Sequence, residues 1–514
     1  MMIHKTRTYL TAFLMISLPF GTYAVSRSRS GNPVLINEFP VSGTTLCRGQ
    51  EWIELFNTSD EPVSMTGYEI LSAAEKGKRR SSRLDSLTIP AKSFLVLKQG
   101  VHFNFSIHPE KGSLILKKNG KAVDQIAFEL NRPDHSYGRI KDGETIGWTL
   151  FDTASSSIGS SNHTFSFIYT SDQHYGIKRD FRGEKKVDAS DVNRAMVAQM
   201  NRLVQTVLPD DEGVNANLPV QVDYLIQTGD ITSRSDKPQI PKASVMMEQF
   251  ENDYLRGITL TDGCGDRIPV FLTAGNHDLS NAIGHAKIPA DKVDNTAMIT
   301  LYNLMMNPDT LLTGTTYDYR KERVNYIRNL RGVQFLFIQM WPDSDSRAWL
   351  ETQMDTEKPT FLFTHDQPDI EAKHLIDPVS GEGNTLSFGN KFENLVNEKA
   401  DPGSTTAGST DTQQRGLADF LKRHPNIGIY FHGNENFNEF YTYRGPDNDL
   451  SLPVIRVDSP MKGNHSAEDE RLLSFQLVTV DKSTRRLTVR ELYWNSTANS
   501  DAPLTYGSCV TLPY

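Results

Sequence analysis

Two hydrophobic periodicities divide this chain. From residue 32 to about 150, apolar residues come in short runs with no helical stretch between them: Val34 to Glu38, Glu51 to Phe56, Tyr68 to Leu71, Phe94 to Leu97, Ser113 to Leu116 and Ala122 to Ile126. Turn formers such as Lys118-Asn119-Gly120-Lys121 separate them, and this spacing predicts a small all-β sandwich over residues 30–152. A Ser-rich stretch at 153–162 reads as a linker.

Beyond the linker, strand-like runs alternate with helical spacing. The runs are Phe165 to Tyr169, Asp223 to Gln227, Pro269 to Thr273, Val333 to Met340, Thr360 to Phe363 and Ile427 to Phe431. Val192, Ala195, Met196, Leu203, Val204 and Val207 recur at helical spacing, which predicts a helix running to Leu208 with caps at Ser190 and Asp191. A hairpin, Leu472 to Val480 and Arg485 to Trp494, closes the pattern, leaving 496–514 as a tail. Alternation of this kind predicts an α/β layered domain over 163–495, with its chemistry on loops at strand ends.

The first 24 residues have the form of a secretory signal: His4, Lys5 and Arg7, an apolar run from Leu10 to Phe20, then Thr22-Tyr23-Ala24. The apolar run is shorter than the about 20 residues a membrane span takes, so the expectation is a protein secreted, periplasmic or at the cell surface. The three cysteines, Cys47, Cys264 and Cys509, are too scattered for a disulfide framework; Cys264 with Cys509 is the pairing the sequence suggests. A net charge of −9, with the acidic excess in the second half, argues against an extended nucleic-acid track. The basic cluster Lys76 to Arg83 reads as a solvated loop.

Asp172 and His174 sit two apart just past the first strand-like run of the second region. In an extended chain such residues share a face, and a carboxylate beside an imidazole grips a divalent metal. Later runs end in Gly229-Asp230, in Gly275-Asn276-His277-Asp278 and in His365-Asp366. Hard oxygen donors mixed with imidazole suit Mn, Fe, Zn or Mg, and a carboxylate between two ions can bridge them. His285, His374 and His424 read as surface histidines, and Trp341-Pro-Asp343-Ser-Asp345 as a helix start capped at Asp345.

Both regions resemble known families. Residues 36–39 (INEF), 51–57 (EWIELFN), Gly67-Tyr68, Ile89-Pro90-Ala91, Gly120 with Val123-Asp124, and 136–139 (SYGR) are similar to the lamin-tail domain, an immunoglobulin-like sandwich that accompanies exported bacterial enzymes. The strand-end motifs resemble the metallophosphoesterase, or calcineurin-like phosphoesterase, superfamily, whose pattern is Asp-x-His, Gly-Asp, Gly-Asn-His-Asp/Glu, a lone His and Gly-His-x-His. That resemblance implies an αββα-type domain and a divalent or di-metal centre. Asp172 and His174 would hold the first ion, Asp230 would bridge, and Asn276 and His365 would hold the second. It further implies that His277 contacts the phosphoryl oxygen or protonates the leaving group without ligating, and that Asp278 orients its ring.

The last block departs from the family. Where relatives carry Gly-His-x-His, this chain reads His432-Gly433-Asn434-Glu435-Asn436, with asparagines in place of two ligand imidazoles. Three arrangements stay open: Asn434 on the second metal with water or Asn436 completing the first, one ion held firmly and the other only with substrate, or a shifted loop in which His432 or Glu435 ligates. The expected function is an exported metal-dependent phosphoesterase that hydrolyses phosphate esters, monoesters before diesters, through a metal-activated hydroxide. Its rival is a binding or adhesion protein whose phosphoesterase domain is degenerate at Asn434 and Asn436. The sandwich is the candidate surface for a cell-surface or protein contact.

Overall fold

The computed structural model describes residues 23–28, 31–40, 51–74, 80–107, 111–129, 136–139, 148–151, 164–261, 267–285, 287–376, 393–402, 411–497 and 503–514. The chain divides into two compact units, residues 1–156 and 157–514. The first is a sandwich of two five-stranded sheets. One sheet contains Lys111–Lys118 and Lys121–Glu129, joined at Asn119 and Gly120, whose φ angles of 50° and 75° are those of the Asn-Gly hairpin turn that the sequence signals. The other contains Val34–Pro40 between Trp52–Asn57 and Ser136–Arg139. Val34, Ile36, Ile53, Leu55, Ile70, Leu114, Leu116 and Ile126 fill the space between the sheets, so the alternation in the sequence selects one face of each strand for burial.

Three of the expectations for this region fall partly or wholly outside the described residues. They are the secretory signal, of which only Tyr23 and Ala24 are described, in the strand Tyr23–Ser28 paired with Lys121–Glu129; the linker at 153–162; and most of the basic cluster, whose described part, Arg80–Arg83, is a largely exposed strand.

The second unit is built on two six-stranded sheets. In chain order the strands are β1 (Thr164–Thr170), β2 (Tyr224–Thr228), β3 (Val270–Thr273), β4 (Tyr326–Leu330), β5 (Val333–Phe337), β6 (Thr360–Phe363), β7 (Ile427–His432), β8 (Glu439–Tyr443), β9 (Leu452–Arg456), β10 (Ser474–Asp481), β11 (Arg486–Tyr493) and β12 (Thr505–Pro513). The first sheet runs β3-β2-β1-β10-β11-β12 and the second β4-β5-β6-β7-β9-β8. Within them β1, β2 and β3 are mutually parallel, as are β5, β6, β7 and β9. Parallel strands put their C-terminal ends on one edge, and there the loops gather.

Aromatic rings lock the two sheets face to face. Phe167 of β1 meets Phe335, Phe363 and Phe431 of the second sheet at centroid distances of 5.7, 5.8 and 5.8 Å, mostly edge on, and Phe363 stacks on Phe431 at 4.6 Å. Helices α1 (Ala189–Arg202), α2 (Ala243–Phe250), α3 (Asn276–Ile283), α4 (Thr296–Met306), α5 (Ser344–Gln353) and α6 (Arg415–Arg423) complete the αββα layering. Among the described residues no helix is long and apolar enough to cross a membrane.

Several local expectations are corrected. Helix α1 starts at Ala189 after Asp188, with Ser190 and Asp191 inside its first turn, because Ser190 Oγ is used by Asp253 (2.6 Å) and Asp191 by Arg194. It stops at Arg202 and gives way to a short 3-10 turn. Asp343, not Asp345, caps α5, accepting the Ser346 N–H at 2.9 Å. The segment set apart as a tail supplies β12, paired with β11. His285, His374 and His424 are all buried, not on the surface. Cys509 is a free thiol 3.5 Å from Asp211, while Cys264 lies outside the described residues.

Phe363 is fully buried at the centre of the ring stack. Phe363→Ala is expected to cost about 3–5 kcal/mol, read as a lower denaturation midpoint in urea for the transition of this unit; a change under about 1 kcal/mol would show that the stack does not bind the two sheets.

Candidate metal centre

Every chemistry-bearing residue singled out in the second region emerges from the C-terminal end of a parallel strand: Asp172 and His174 after β1, Asp230 after β2, Asn276 to Asp278 after β3, His365 after β6 and Asn434 after β7. The local backbone differs from expectation. Asp172 and His174 do not share the face of an extended strand, because both have left-handed φ angles of 58° and 44°. The turn is held by the neighbouring loop, whose Gly229 and Asp230 carbonyls accept the Asp172 and His174 N–H groups at 3.0 Å each. Asp230 itself has φ 52°. Left-handed non-glycine residues cost about 1–3 kcal/mol each and gather where a site dictates side-chain direction.

Asp172, His174, Asp230, Asn276 and His365 are buried together. His174 Nε2 lies 3.4 Å from Asp172 Oδ1 and 3.7 Å from Asp230 Oδ2. On the other side of the same carboxylate, His365 Nε2 lies 3.4 Å from Asp230 Oδ1 and 3.2 Å from Asn276 Oδ1. Bonds of about 2.1 Å at tetrahedral angles put donor atoms about 3.4 Å apart, so both groups have the spacing of a coordination shell, with Asp230 common to the two. Asp172 Oδ1 and both ring nitrogens of His174 have no hydrogen-bond partner although fully buried, a state that normally costs about 1–3 kcal/mol per group. A cation between Asp172 Oδ1 and His174 Nε2 would satisfy both of those atoms. His365 Nδ1 faces the Thr228 carbonyl at 2.7 Å, which holds its proton there and leaves the Nε2 lone pair for an ion.

Asn276 lies against this set. One terminal atom of its amide is 3.1 and 3.2 Å from the Asp230 carboxylate oxygens and 3.2 Å from His365 Nε2, and the other faces Arg234 Nη2 at 3.0 Å and His374 Nε2 at 3.3 Å. With its nitrogen toward the carboxylate and its oxygen toward Arg234 and His374, every one of these contacts is a hydrogen bond. An ion beside Asp230 would draw the amide oxygen to that side instead.

Electrostatics follow the same geometry. Burial would raise the Asp172 carboxyl, but the His174 and His365 imidazoles outweigh it and hold it at about 2. Burial disfavours the charged form of His365 too, yet Asp230, Asp172 and Asp366 prevail and raise it. His277 stands at the mouth, its side chain 15% exposed and Nε2 3.7 Å from Asp230 Oδ2. Burial, with Lys462 and Arg234 adding to it, holds His277 well below its ordinary value, so the ring is neutral. Its Nδ1 accepts the Arg234 backbone N–H at 2.8 Å, which puts the remaining proton on Nε2. A protonated Nε2 cannot ligate, and it points toward the paired donor sets.

The expected role of Asp278 is corrected. It does not touch the His277 ring: on a helix, consecutive residues diverge by about 100°, and Asp278 folds back to accept the Gly275 N–H at 3.0 Å and the Thr232 N–H and hydroxyl at 2.9 and 2.8 Å. It braces the loop that carries Asp230. The departing block is also placed. Asn434 gives its backbone N–H to Asp172 Oδ2 (2.9 Å), and its amide nitrogen to Asp366 (2.8 Å) and Glu371 (2.9 Å). Asn436 Nδ2 turns to the Asn434 carbonyl at 2.5 Å. His432 is taken up by Tyr441 (2.9 Å) and Glu435 by Arg456.

A family model described as calcineurin-like phosphoesterase matches residues 165–433. The chain belongs to that family. A lamin tail domain model matches residues 27–130. Among solved structures, the chain is similar to a purple acid phosphatase isolated from yellow lupin (Lupinus luteus) seeds, at 10% identity and TM-score 0.38 over 93% of this chain and 74% of that one. It is also similar to a Vps29 single mutant from Entamoeba histolytica, at 8% identity and TM-score 0.25 over 68% and 99%. No curated protein matches it.

In this calcineurin-like phosphoesterase the residues missed by sequence reasoning are those outside its family motifs. His374, fully buried, places Nδ1 2.5 Å from Asp366 and Nε2 3.3 Å from the Asn276 amide. Arg234 Nη2 lies 3.0 Å from the Asn276 amide and donates to both Glu393 carboxylate oxygens, at 2.7 and 2.8 Å. Lys462 brings its Nζ to 3.4 Å from His277 Nε2. No spacing rule marks any of them, since each arrives from a separate loop.

Gly275 is needed for close approach: a Cβ there would collide with Asp230 N and Oδ1 and come within 2.8 Å of His365. Gly275→Ala is expected to fold yet bind Mn at least about tenfold more weakly, measured by calorimetric titration; unchanged affinity would place the ion elsewhere.

Proposed function

We propose that this chain is an exported metal-dependent phosphoesterase, acting on phosphomonoesters in preference to diesters. The observation that carries the reading is the pair of buried donor sets sharing Asp230, with unsatisfied atoms on Asp172 and His174. Asp172, His174 and Asp230 would hold one ion, and Asp230, Asn276 and His365 the other, with Mn, Fe, Zn or Mg as candidates. When bound, such ions lower the pKa of water and neutralise charge on phosphoryl oxygens.

The chain's own groups supply the rest. Asp230, shared between the donor sets, sets their separation. Arg234 fixes the His277 tautomer, so that Nε2–H can donate to a phosphoryl oxygen or to the departing oxygen. Asp278 keeps the Asp230 loop in register. The buried floor of Thr228, Gly229 and His365 excludes water from behind the donors. Export rests on the charged, apolar and small-residue pattern of residues 4–24.

A binding or adhesion protein with a weakened centre is the second reading, favoured by Asn434, whose amide nitrogen is committed to Asp366 and Glu371. Metal-loaded protein assayed on aryl phosphate mono- and diesters decides between them, with Asp230→Asn as the control. An enzyme loses ions and turnover in that variant, whereas a binder turns over neither substrate from the start. For the enzyme, His277→Ala is expected to lower kcat about 10²–10⁴-fold with ions per chain unchanged by elemental analysis; loss of metal would make His277 a ligand and overturn its assigned role.

A further inference from the structure

Lys462 lies in the loop after β9, outside every motif of the family pattern. That loop is anchored to the candidate centre. Ser459 Oγ donates to the Asp172 carbonyl at 2.7 Å and accepts the Met461 and Lys462 N–H groups at 3.2 and 3.0 Å. Arg179 clasps the loop from outside through the Pro460 and Ser466 carbonyls at 2.7 and 2.5 Å. A Cβ on Gly463 would collide with Ser466, so the turn beside Lys462 is packed tight. The lysine is therefore delivered to a fixed place.

Its surroundings are unusual for an ammonium. Of the lysines and arginine that act on His277, Arg234 is paired with Glu393 and Lys373 with Glu371. Lys462 makes no ion pair among the described residues, and its Nζ contact is His277 Nε2 at 3.4 Å. Arg234 already occupies the His277 Nδ1 lone pair, so Nε2 carries a proton. Two donors therefore face each other across 3.4 Å, with Asp230 Oδ2 standing 3.7 Å from Nε2, beyond hydrogen-bond length, a juxtaposition that is unfavourable until an anionic oxygen lies within reach of both.

We propose that Lys462 and His277 form a two-donor clamp for one non-bridging phosphoryl oxygen, with Lys462 as a substrate-binding residue of this chain. The inference rests on the phosphoesterase reading for its ligand class and on the donor geometry for its residues. A monoester dianion suits the clamp better than a diester monoanion, because the ammonium then meets an oxygen bearing fuller charge.

The test uses the full-length protein loaded with Mn, inorganic phosphate as the probe, and Lys462→Met with Lys462→Arg alongside. Lys462→Met is expected to bind phosphate about tenfold to a hundredfold more weakly by calorimetry, with ions per chain unchanged, and to lose more kcat/KM on an aryl monoester than on a diester. Lys462→Arg should recover part of the affinity. Phosphate affinity within about twofold of the parent overturns the clamp, and so does loss of metal in both variants, which would make the lysine a counter-charge for Asp172 and Asp230. If Lys462→Met does not fold, Lys462→Arg decides, since a guanidinium keeps the charge and should keep phosphate binding within about tenfold. Parent protein that binds phosphate through Lys462 but hydrolyses neither ester leaves the clamp standing and removes the phosphoesterase reading. Turnover that is indifferent to both substitutions does the reverse.

Discussion

The constraint on which the second unit turns is the burial of Asp172 and Asp230 side by side. Two carboxylates withdrawn from water repel each other and forfeit solvation, and such groups persist only when positive charge is drawn in to meet them. The His365 imidazole, raised above its ordinary value by Asp230 and Asp172, does part of this. Asp172 Oδ1 and the ring nitrogens of His174 are left buried without partners. A cation between Asp172 Oδ1 and His174 Nε2, which lie 3.4 Å apart, would complete the arrangement. Burial, then the charge of Asp230, pushes the Asp278 carboxyl up to about 6 despite the N–H groups it accepts.

Holding these groups together requires backbone that strands and helices do not provide. Asp172, His174, Asp230, Met340, Asn434 and Asn436 all take φ values between 44° and 64°. Hydrogen bonds between loops keep them there. Met340 links the sheets, giving its N–H to Ala274 (2.9 Å) and its carbonyl to His365 and Asp366 (3.1 and 2.8 Å), while Gly433 N–H reaches the His365 carbonyl at 3.0 Å. The aromatic stack between the sheets sets the distance over which these loops must meet. A rigid double sheet thus supports a strained rim, and the rim aims the donors.

The asparagines of the last block belong to a second polar layer. Asn434 joins Asp172 to the Asp366 and Glu371 carboxylates, and His374 joins Asp366 to Asn276. Where relatives place imidazoles toward the ions, this chain has a chain of amides and carboxylates that orients the remaining ligands.

The β-rich character of the first region, the α/β alternation of the second and the strand-end motifs were legible in the sequence, because burial selects apolar residues with the period of the element. Asp172, His174, Asp230, Asn276 and His365, which the structure buries together, could be singled out from those motifs, as could the Asn-Gly turn of the sandwich from its residues. What the sequence did not carry is direction. That Asp172 and His174 turn inward through left-handed backbone, that Asp278 braces a loop while Arg234 sets the His277 ring, that His374 is buried, and that Lys462 arrives opposite His277 all depend on loops far apart in the chain packing against one another. Local periodicity reports which face of an element is apolar; only the meeting of separate elements decides which polar atoms touch.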